Sequence, residues 1–416
     1  MKVAVVSKSD RNGGGASRVA EELATWLNEA GHPTDHYITF SFKSPLPFQK
    51  SLYGAGRQYK FCKKIHEKTY RYGFPELLPT EYLANLSLAL NEYDVVHFHD
   101  LYTAISPFTL ALTALHKPTF FTVHDCSAFT GGCLYPMDCQ HYKTHCHSCP
   151  QLPLNNETNQ PIPDRTRTIQ TIKRWVSHRF PLQYIFPSSW MCDQAAQVLS
   201  YKLSPVVIPN GLDLKPFSNS TKQAAKFSYQ LPTDRPVIAI SAHCLDDPRK
   251  GLKYAIAALQ SVRDLSPVVV TIGFINDELR QALQGLETRE MGYISDYNTL
   301  ANVYLATDVV LFCTLADNLP LTVLEAMAAS TPVVGFATGG VPEMIQSGRN
   351  GILVEPTDQA SLNTALRKLL RSSEFIAMGM QARQDVEANF SKGAFIERHL
   401  QMYQSSISSN SQSRKS

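Results

Sequence analysis

The chain has 416 residues, 44% of them hydrophobic, and its 39 basic against 36 acidic side chains leave a net charge of +3. That length supports two or three domains with a large buried core, which excludes a lone zinc finger, and the near balance of charge excludes the strongly basic footprint of a dedicated nucleic-acid binder. The apolar run of residues 3–6 is too short for the core of a secretion signal and no run approaches the ~18 apolar residues that span a bilayer, so a cytoplasmic location is expected.

The first predicted strand, KVAVVS, runs into the glycine-rich turn NGGGAS and then a helix in which Val19, Leu23, Trp26 and Leu27 recur at helical spacing up to Gly31. Arg18 stands where the third glycine of a dinucleotide fingerprint would be, and no G-K-[ST] ending follows, so neither a nicotinamide enzyme nor a P-loop nucleotidase is indicated. Residues 56–74 mix Arg57, Lys60, Lys63, Lys64, Lys68 and Arg71 with Tyr59, Phe61, Tyr70 and Tyr72; residues 165–180 hold a second basic stretch with Lys173, Arg174 and Trp175. Each reads as a solvated helix face or as a docking surface for anionic lipid.

Further strands are expected at DVVHFH, PTFFTVH, QYIFPS and PVVIPN. Between the second and third of these lies a segment, residues 125–150, that carries five of the nine cysteines. In a reducing compartment clustered cysteines bind metal more often than they pair. Cys133, Cys139, Cys146 and Cys149, spaced C-x(5)-C-x(6)-C-x(2)-C, are therefore candidates for one structural zinc ion, with His141, His145 and His147 able to replace a thiolate; free thiols or two disulfides are the alternatives. Cys126 is left out of that set because it follows His124 and Asp125 directly.

A polar stretch from Ser218 to Asp234 suggests a connection, after which a second alternation begins: PVIAISA, a helix around KGLKYAIAALQSV, PVVVTIGF, DVVLFCT, the helix PLTVLEAMAAS, PVVGF and the periodic helix DQASLNTALRKLLRSS. Two α/β halves with parallel sheets follow from this pattern. The expected boundaries are 1–217 for the first domain and 218–388 for the second. A C-terminal helix able to return to the first domain is expected over 389–403, and a serine-rich disordered tail over 404–416.

In the second half, DPRKG places Arg249 and Lys250 in a turn before a helix, suited to a diphosphate. The segment ADNLPLTVLEAM opens a helix at Asn318-Leu319-Pro320 whose N–H groups near Leu321 and Thr322 can receive an anion. Glu325 lies in this apolar helix eight residues after Asp317, and burial there would oblige it to find hydrogen-bond partners such as ligand hydroxyls.

Taken jointly, NGGGASRVAEELATWL, TVHD, VIPNGLDLKPF, DPRKGL, ADNLPLTVLEAMAASTPVVGFATGGVPEMI and GRNGILVEP resemble the family 4 glycosyltransferases. The resemblance implies a GT-B fold, two Rossmann-like domains facing across a cleft, with 1–217 the acceptor side and 218–388 the nucleotide-sugar-binding side. It implies retaining, metal-independent hexosyl transfer from a nucleotide-sugar donor to a glycan or lipid-linked acceptor in surface polysaccharide or glycolipid synthesis, in the cytoplasm or peripherally on the inner face of an anionic membrane. It makes Glu325 the ligand of the donor ribose, Asp317 the partner of donor sugar hydroxyls, and Lys250 the diphosphate lysine. His124 falls near the donor sugar, and Gly14, Gly15 and Arg18 line the cleft. Asp317 stands where the family has glutamate, and Arg249 must replace an arginine usually found upstream. These departures motivate an alternative, a non-catalytic sugar-nucleotide-binding protein of the same fold. Similar cysteine-rich loops after the His-Asp pair are part of the resemblance.

Overall fold

The computed structural model describes residues 1–41, 44–155, 159–245, 247–372 and 374–413. It divides into two compact units, residues 1–209 with 395–416, and residues 210–394. The division falls eight residues before the expected boundary at 217/218, because Leu212 and Phe217 already pack in the second core and the polar stretch after them contains a helix, Lys222–Ser228. Where a disordered tail is expected from 404, a helix continues instead, Lys392–Ser413; residues 414–416 lie outside the described residues.

The first unit is built on seven parallel strands: β1 (Val3–Ser9), β2 (Thr34–Phe40), β3 (Gln49–Ser51), β4 (Val95–Phe98), β5 (Thr119–Thr122), β6 (Leu182–Phe186) and β7 (Val206–Val207), in the order β3-β2-β1-β4-β5-β6-β7. The central strands are buried along their whole length, as an all-parallel sheet covered on both faces requires. The helix Gly15–Glu29 closes one face by burying Val19, Leu23 and Leu27, side chains four residues apart.

The second unit has six parallel strands: β8 (Val237–Cys244), β9 (Val268–Phe274), β10 (Glu287–Gly292), β11 (Val309–Phe312), β12 (Val333–Phe336) and β13 (Gly351–Val354), in the order β10-β9-β8-β11-β12-β13. Each sheet therefore reverses its order once, beside β1 in the first and beside β8 in the second. Chains leaving the two strands at such a point diverge, and the crevice they leave at the carboxyl ends is where open α/β sheets bind ligands.

Of the buried histidines of the first unit, His36, His97 and His99 are fully buried and His399 nearly so. His97 bridges Thr122 Oγ1 at 2.7 Å and the Tyr403 hydroxyl at 2.5 Å, and His399 lies at 5.5 Å from it, ring to ring. Tyr403 and His399 both come from the helix Lys392–Ser413, and Phe395 of that helix meets Trp26 edge to face. Burial holds these imidazoles neutral, His36 down to about 3, His399 to about 4, and His97 and His99 well below the ordinary histidine value.

A folded-state value below the unfolded one means that the unfolded chain takes up protons first. Stability is then level well above pH 6.5 and falls as pH drops towards 4, by about 1.4 kcal/mol per pH unit for each such histidine. Asp100, raised to about 7, and Asp125, also raised, both chiefly by burial, act in the opposite sense but are fewer. The denaturant midpoint of the first unit should therefore be lower at pH 5.5 than at pH 7.5; equal midpoints would contradict neutral, buried imidazoles.

Candidate functional site

In the second unit the loops leaving β8 and β11, the two strands at the reversal, are tied together. The turn at Pro248–Lys250 is capped by Asp247, whose carboxylate accepts Arg249 N–H at 2.9 Å, and Leu315 N–H donates to Arg249 O at 2.7 Å. Gly251 ends the turn at φ +62°, and a Cβ there would meet the Cys313 carbonyl oxygen at 1.9 Å, so only glycine lets the turn lie against the end of β11. This close approach sets Lys250 Nζ 3.0 Å from Asp317 Oδ2. Asp317 is held in turn, its other oxygen accepting Asn318 N–H at 2.9 Å.

Arg249 does not share that position. Its Nε and Nη2 donate to Asp247 at 3.2 and 2.6 Å, and although burial works to raise the Asp247 carboxyl, these bonds prevail and hold it below the usual carboxylate range. Sequence reasoning expects Arg249 beside Lys250 on a diphosphate; the structure carries both in one turn, each against an aspartate, Arg249 on Asp247 and Lys250 on Asp317.

The helix Leu321–Ala328 follows with Pro320 as its cap. The Pro320 carbonyl receives Val323 and Leu324 N–H, which leaves the N–H groups of Leu321 and Thr322 at the helix start for an incoming anion. Glu325 is buried, 3% exposed, on a helix whose neighbouring side chains from Val323 to Ala328 are all buried. Asn318 is also buried, its carbonyl accepting from Gly340 N–H, and the Asn210 side chain donates to Leu319 O at 3.0 Å. Asn210 belongs to the anchoring of this loop and was not singled out from sequence, although its Pro-Asn-Gly context marks a turn.

In the first unit the equivalent reversal lies between β1 and β4. Gly14 caps the helix Gly15–Glu29 at φ +109°, and a Cβ on Gly14 or Gly15 would meet nothing within 4 Å, so this turn borders open space. Arg18 donates to Glu22 at 2.9 Å one helical turn on. Ser17 Oγ reaches Asp100 Oδ2, just past β4, at 3.5 Å. His124, two residues past β5, is partly buried, and its Nε2 lies 2.9 Å from His99 Nδ1 with the rings stacked. Burial pushes His124 down to about 3, so it is a neutral imidazole here. His99 and Asp100 are the residues that sequence reasoning missed. The signal was present: "FHD" and "VHD" end two adjacent strands 25 residues apart, and β4 pairs with β5 so as to bring the two His-Asp pairs side by side.

The cysteine loop stands after the second of these pairs. All nine cysteines are free. Cys133 is pushed up to about 12, first by burial and then by the fields of Cys149, Cys146 and Cys139; Cys146 and Cys149 are raised by burial first as well. Gly131 N–H donates to Cys146 Sγ at 3.2 Å, and the Gln151 backbone N–H donates to Cys149. Among the described residues no group of three or more His, Cys, Asp or Glu closes into a metal-holding set, so the four sulfurs share one neighbourhood without forming a coordination shell.

Residues 13–216 match the family described as Glycosyltransferase Family 4, and residues 235–372 the family described as Glycosyl transferases group 1. The chain is 30% identical over 168 residues to a sulfoquinovosyl transferase of Arabidopsis thaliana, a match that takes in 38% of this chain and spans about a third, 32%, of that protein. Among solved structures it is similar to the sucrose-phosphate synthase of Thermosynechococcus elongatus, with TM-score 0.74 and 18% identity over 98% of this chain and 100% of that one. It is also similar to Anabaena HepE in complex with UDP-glucose, with TM-score 0.66 and 16% identity over 97% and 100% of the two chains. At these identities the structural likeness is one of fold.

Proposed function

We propose, for a chain that belongs to the family 4 glycosyltransferases and has their two-domain GT-B fold, that it transfers a hexosyl group from a nucleotide-sugar donor to a glycan or lipid-linked acceptor with retention of configuration. The observation that carries this reading is the pairing of Lys250 with Asp317 at the strand-order reversal of the second sheet, beside the start of the helix Leu321–Ala328. A nucleoside diphosphate leaves with negative charge, and catalysis rests on stabilising that charge. Lys250 and the N–H groups of Leu321 and Thr322 supply it. When the diphosphate takes the ammonium, Asp317 is released to accept donor sugar hydroxyls, while Glu325, fixed in the buried face of the helix, accepts the ribose hydroxyls. His124, neutral and aligned by His99, orients the sugar, and the departing phosphate receives the acceptor proton. None of these steps calls on a metal ion. That HepE is described with UDP-glucose supports a nucleotide sugar as the donor class. The alternative reading, binding without turnover, draws on Asp317 in place of glutamate and on the commitment of Arg249 to Asp247.

Two further parts of the proposal concern the first unit. The helix Gly56–Arg71 presents Arg57, Lys60, Phe61, Lys64, Lys68 and Arg71, all exposed, and buries Cys62 and His66 on the other side, which suits peripheral contact with anionic lipid on the cytoplasmic face during surface polysaccharide or glycolipid synthesis. No helix among the described residues is long and apolar enough to cross a membrane. The cysteine loop would hold one structural zinc ion through Cys133, Cys139, Cys146 and Cys149. Cys133, Cys146 and Cys149, held protonated first by burial and then by neighbouring cysteines, are with Cys139 the kind of donor set a dication would deprotonate, and the N–H donors on Cys146 and Cys149 favour thiolate.

A screen of nucleotide sugars for protection against thermal unfolding identifies the donor. With it, Lys250→Ala and Glu325→Ala should each cut transfer by about tenfold or more, the factor set by ~1.4 kcal/mol of transition-state stabilisation. Near-normal transfer in both folded variants overturns the site, and wild-type binding with no transfer or donor hydrolysis favours the alternative. Metal analysis of protein purified under reducing conditions should find about one zinc per chain, lost in Cys146→Ser/Cys149→Ser; a metal-free, active wild type with four reactive thiols rules the staple out. Co-sedimentation with phosphatidylserine vesicles should be strong at low salt and weaken as ionic strength rises. No binding at low salt leaves the basic helix a solvated face.

A further inference from the structure

The helix Thr166–Arg179 carries the second basic stretch, read from sequence as a solvated or lipid-facing surface, but one of its cations points the other way. Lys173 is 5% exposed. Its Nζ donates to Ser127 O at 2.7 Å and lies 3.2 Å from Oε2 of Glu76, itself 3% exposed, in an ion pair in which that oxygen takes no directed hydrogen bond. One turn earlier Gln170 donates to Phe129 O and Tyr142 O at 3.2 and 2.6 Å and accepts Cys146 N–H at 2.8 Å. This face of the helix is given to the loop that follows His124.

Lys173 and Glu76 each hold one of the two His-Asp strand ends. After β5, Asp125 caps the turn Cys126–Ala128 by accepting Ser127 N–H at 2.8 Å, and Lys173 takes the carbonyl of the same residue, so Ser127 is fixed at both its backbone groups. After β4, Glu76 Oε1 accepts Thr103 N–H at 2.9 Å. Thr103 stands at φ +61°, the left-handed region that a β-branched residue rarely enters, and this bond helps to hold the turn past Asp100 in its strained form. One buried pair therefore joins the loop after His99 and Asp100 to the loop after His124 and Asp125, whose imidazoles meet at 2.9 Å.

Taking two charges out of water offsets most of their mutual attraction, so such a pair adds little stability that apolar side chains of the same volume would not. What it adds is direction, because an ammonium only donates and a carboxylate only accepts, and here each reaches a backbone group in a different loop. Lys173 also acts on Asp125 through its charge: burial raises that carboxyl, and the Ser127 bonds and then Lys173 work to lower it. We propose that Lys173 is a positioning residue of the first unit: anchored on Glu76, it fixes the turn after His124 through Ser127 O and so sets that imidazole against His99. That His124 then orients a donor sugar rests on the transferase reading above; the positioning itself does not.

The test uses the full chain with 15N-labelled histidine rings, the His36, His124 and His399 signals assigned by substituting each in turn. Lys173→Met removes the donor to Ser127 O but leaves Glu76 buried without its partner, a change that can itself cost the fold. The double variant Glu76→Gln/Lys173→Met leaves no unpaired charge and keeps an oxygen for Thr103 N–H, so its thermal midpoint should return close to that of the wild type. In that variant the His124 ring signals should move while those of His36 and His399 stay, and kcat should fall by about tenfold or more with the donor KM within about twofold. Unmoved His124 signals in the folded double variant overturn the proposal, as does transfer that returns to the wild-type rate together with the midpoint. Displaced His124 signals in a protein whose wild type transfers no sugar uphold the positioning and remove the transferase reading instead.

Discussion

Both halves of the molecule depend on one constraint, an all-parallel sheet that must cross over to reach each next strand and that changes direction once. Parallel strands cannot be joined by tight turns, so every carboxyl end delivers a loop to the same edge. At the reversal the two loops leave in opposite directions and open a crevice between them. In the second unit that crevice receives Lys250 and Asp317, and in the first it receives the glycine turn and Asp100, with His99 and His124 alongside. The residues come from distant parts of the sequence, and strand order alone makes them neighbours.

Within that frame the charges are arranged sparingly. The second unit sets a lysine on an aspartate at 3.0 Å, each partly exposed, an interaction that is weak in water and easily exchanged for a ligand charge. Arg249 in the same turn is likewise paired with an aspartate, Asp247, and its carbonyl accepts from Leu315 N–H, which ties the loop that carries Lys250 to the end of β11. At the strand ends of the first unit, His99 and His124 are kept uncharged by burial, so they hold position through hydrogen bonding and stacking without placing a cation beside the sugar that the site is proposed to hold.

Most of the central strands could be read from the sequence because double burial leaves unbroken apolar runs such as VVHF, TFFT and VVLF. The strands not anticipated are β2, β3, β10 and β13. TDHYITF and ETREMG mix charged residues into the pattern, QKS is three polar or small residues, and GILV opens on a glycine in the turn-like context GRNG, so none stands out as a strand. For the site, Lys250, Asp317 and Glu325 were legible because their loops are punctuated by glycine and proline. Their distances were not, since these depend on Gly251 lying against the Cys313 carbonyl, a contact 62 residues away in the chain. His99 could be read from the His-Asp ending that the strands before it and before His124 share, but that these two endings lie side by side depends on the pairing of β4 with β5, which no local pattern gives.

The helix Lys392–Ser413 has a consequence for how the chain is made. The second unit is one uninterrupted stretch, whereas the first needs residues from both sides of it in sequence. As the polypeptide emerges from the ribosome, the strands around His97 and Phe120 are produced long before Tyr403 and His399, which pack against them. The later unit can therefore complete its core first, while the earlier one waits with aromatic surface uncovered. That interval exposes the nascent first unit to chaperones and to aggregation, and translation that stops short of Phe395 would leave it without the helix that covers that surface.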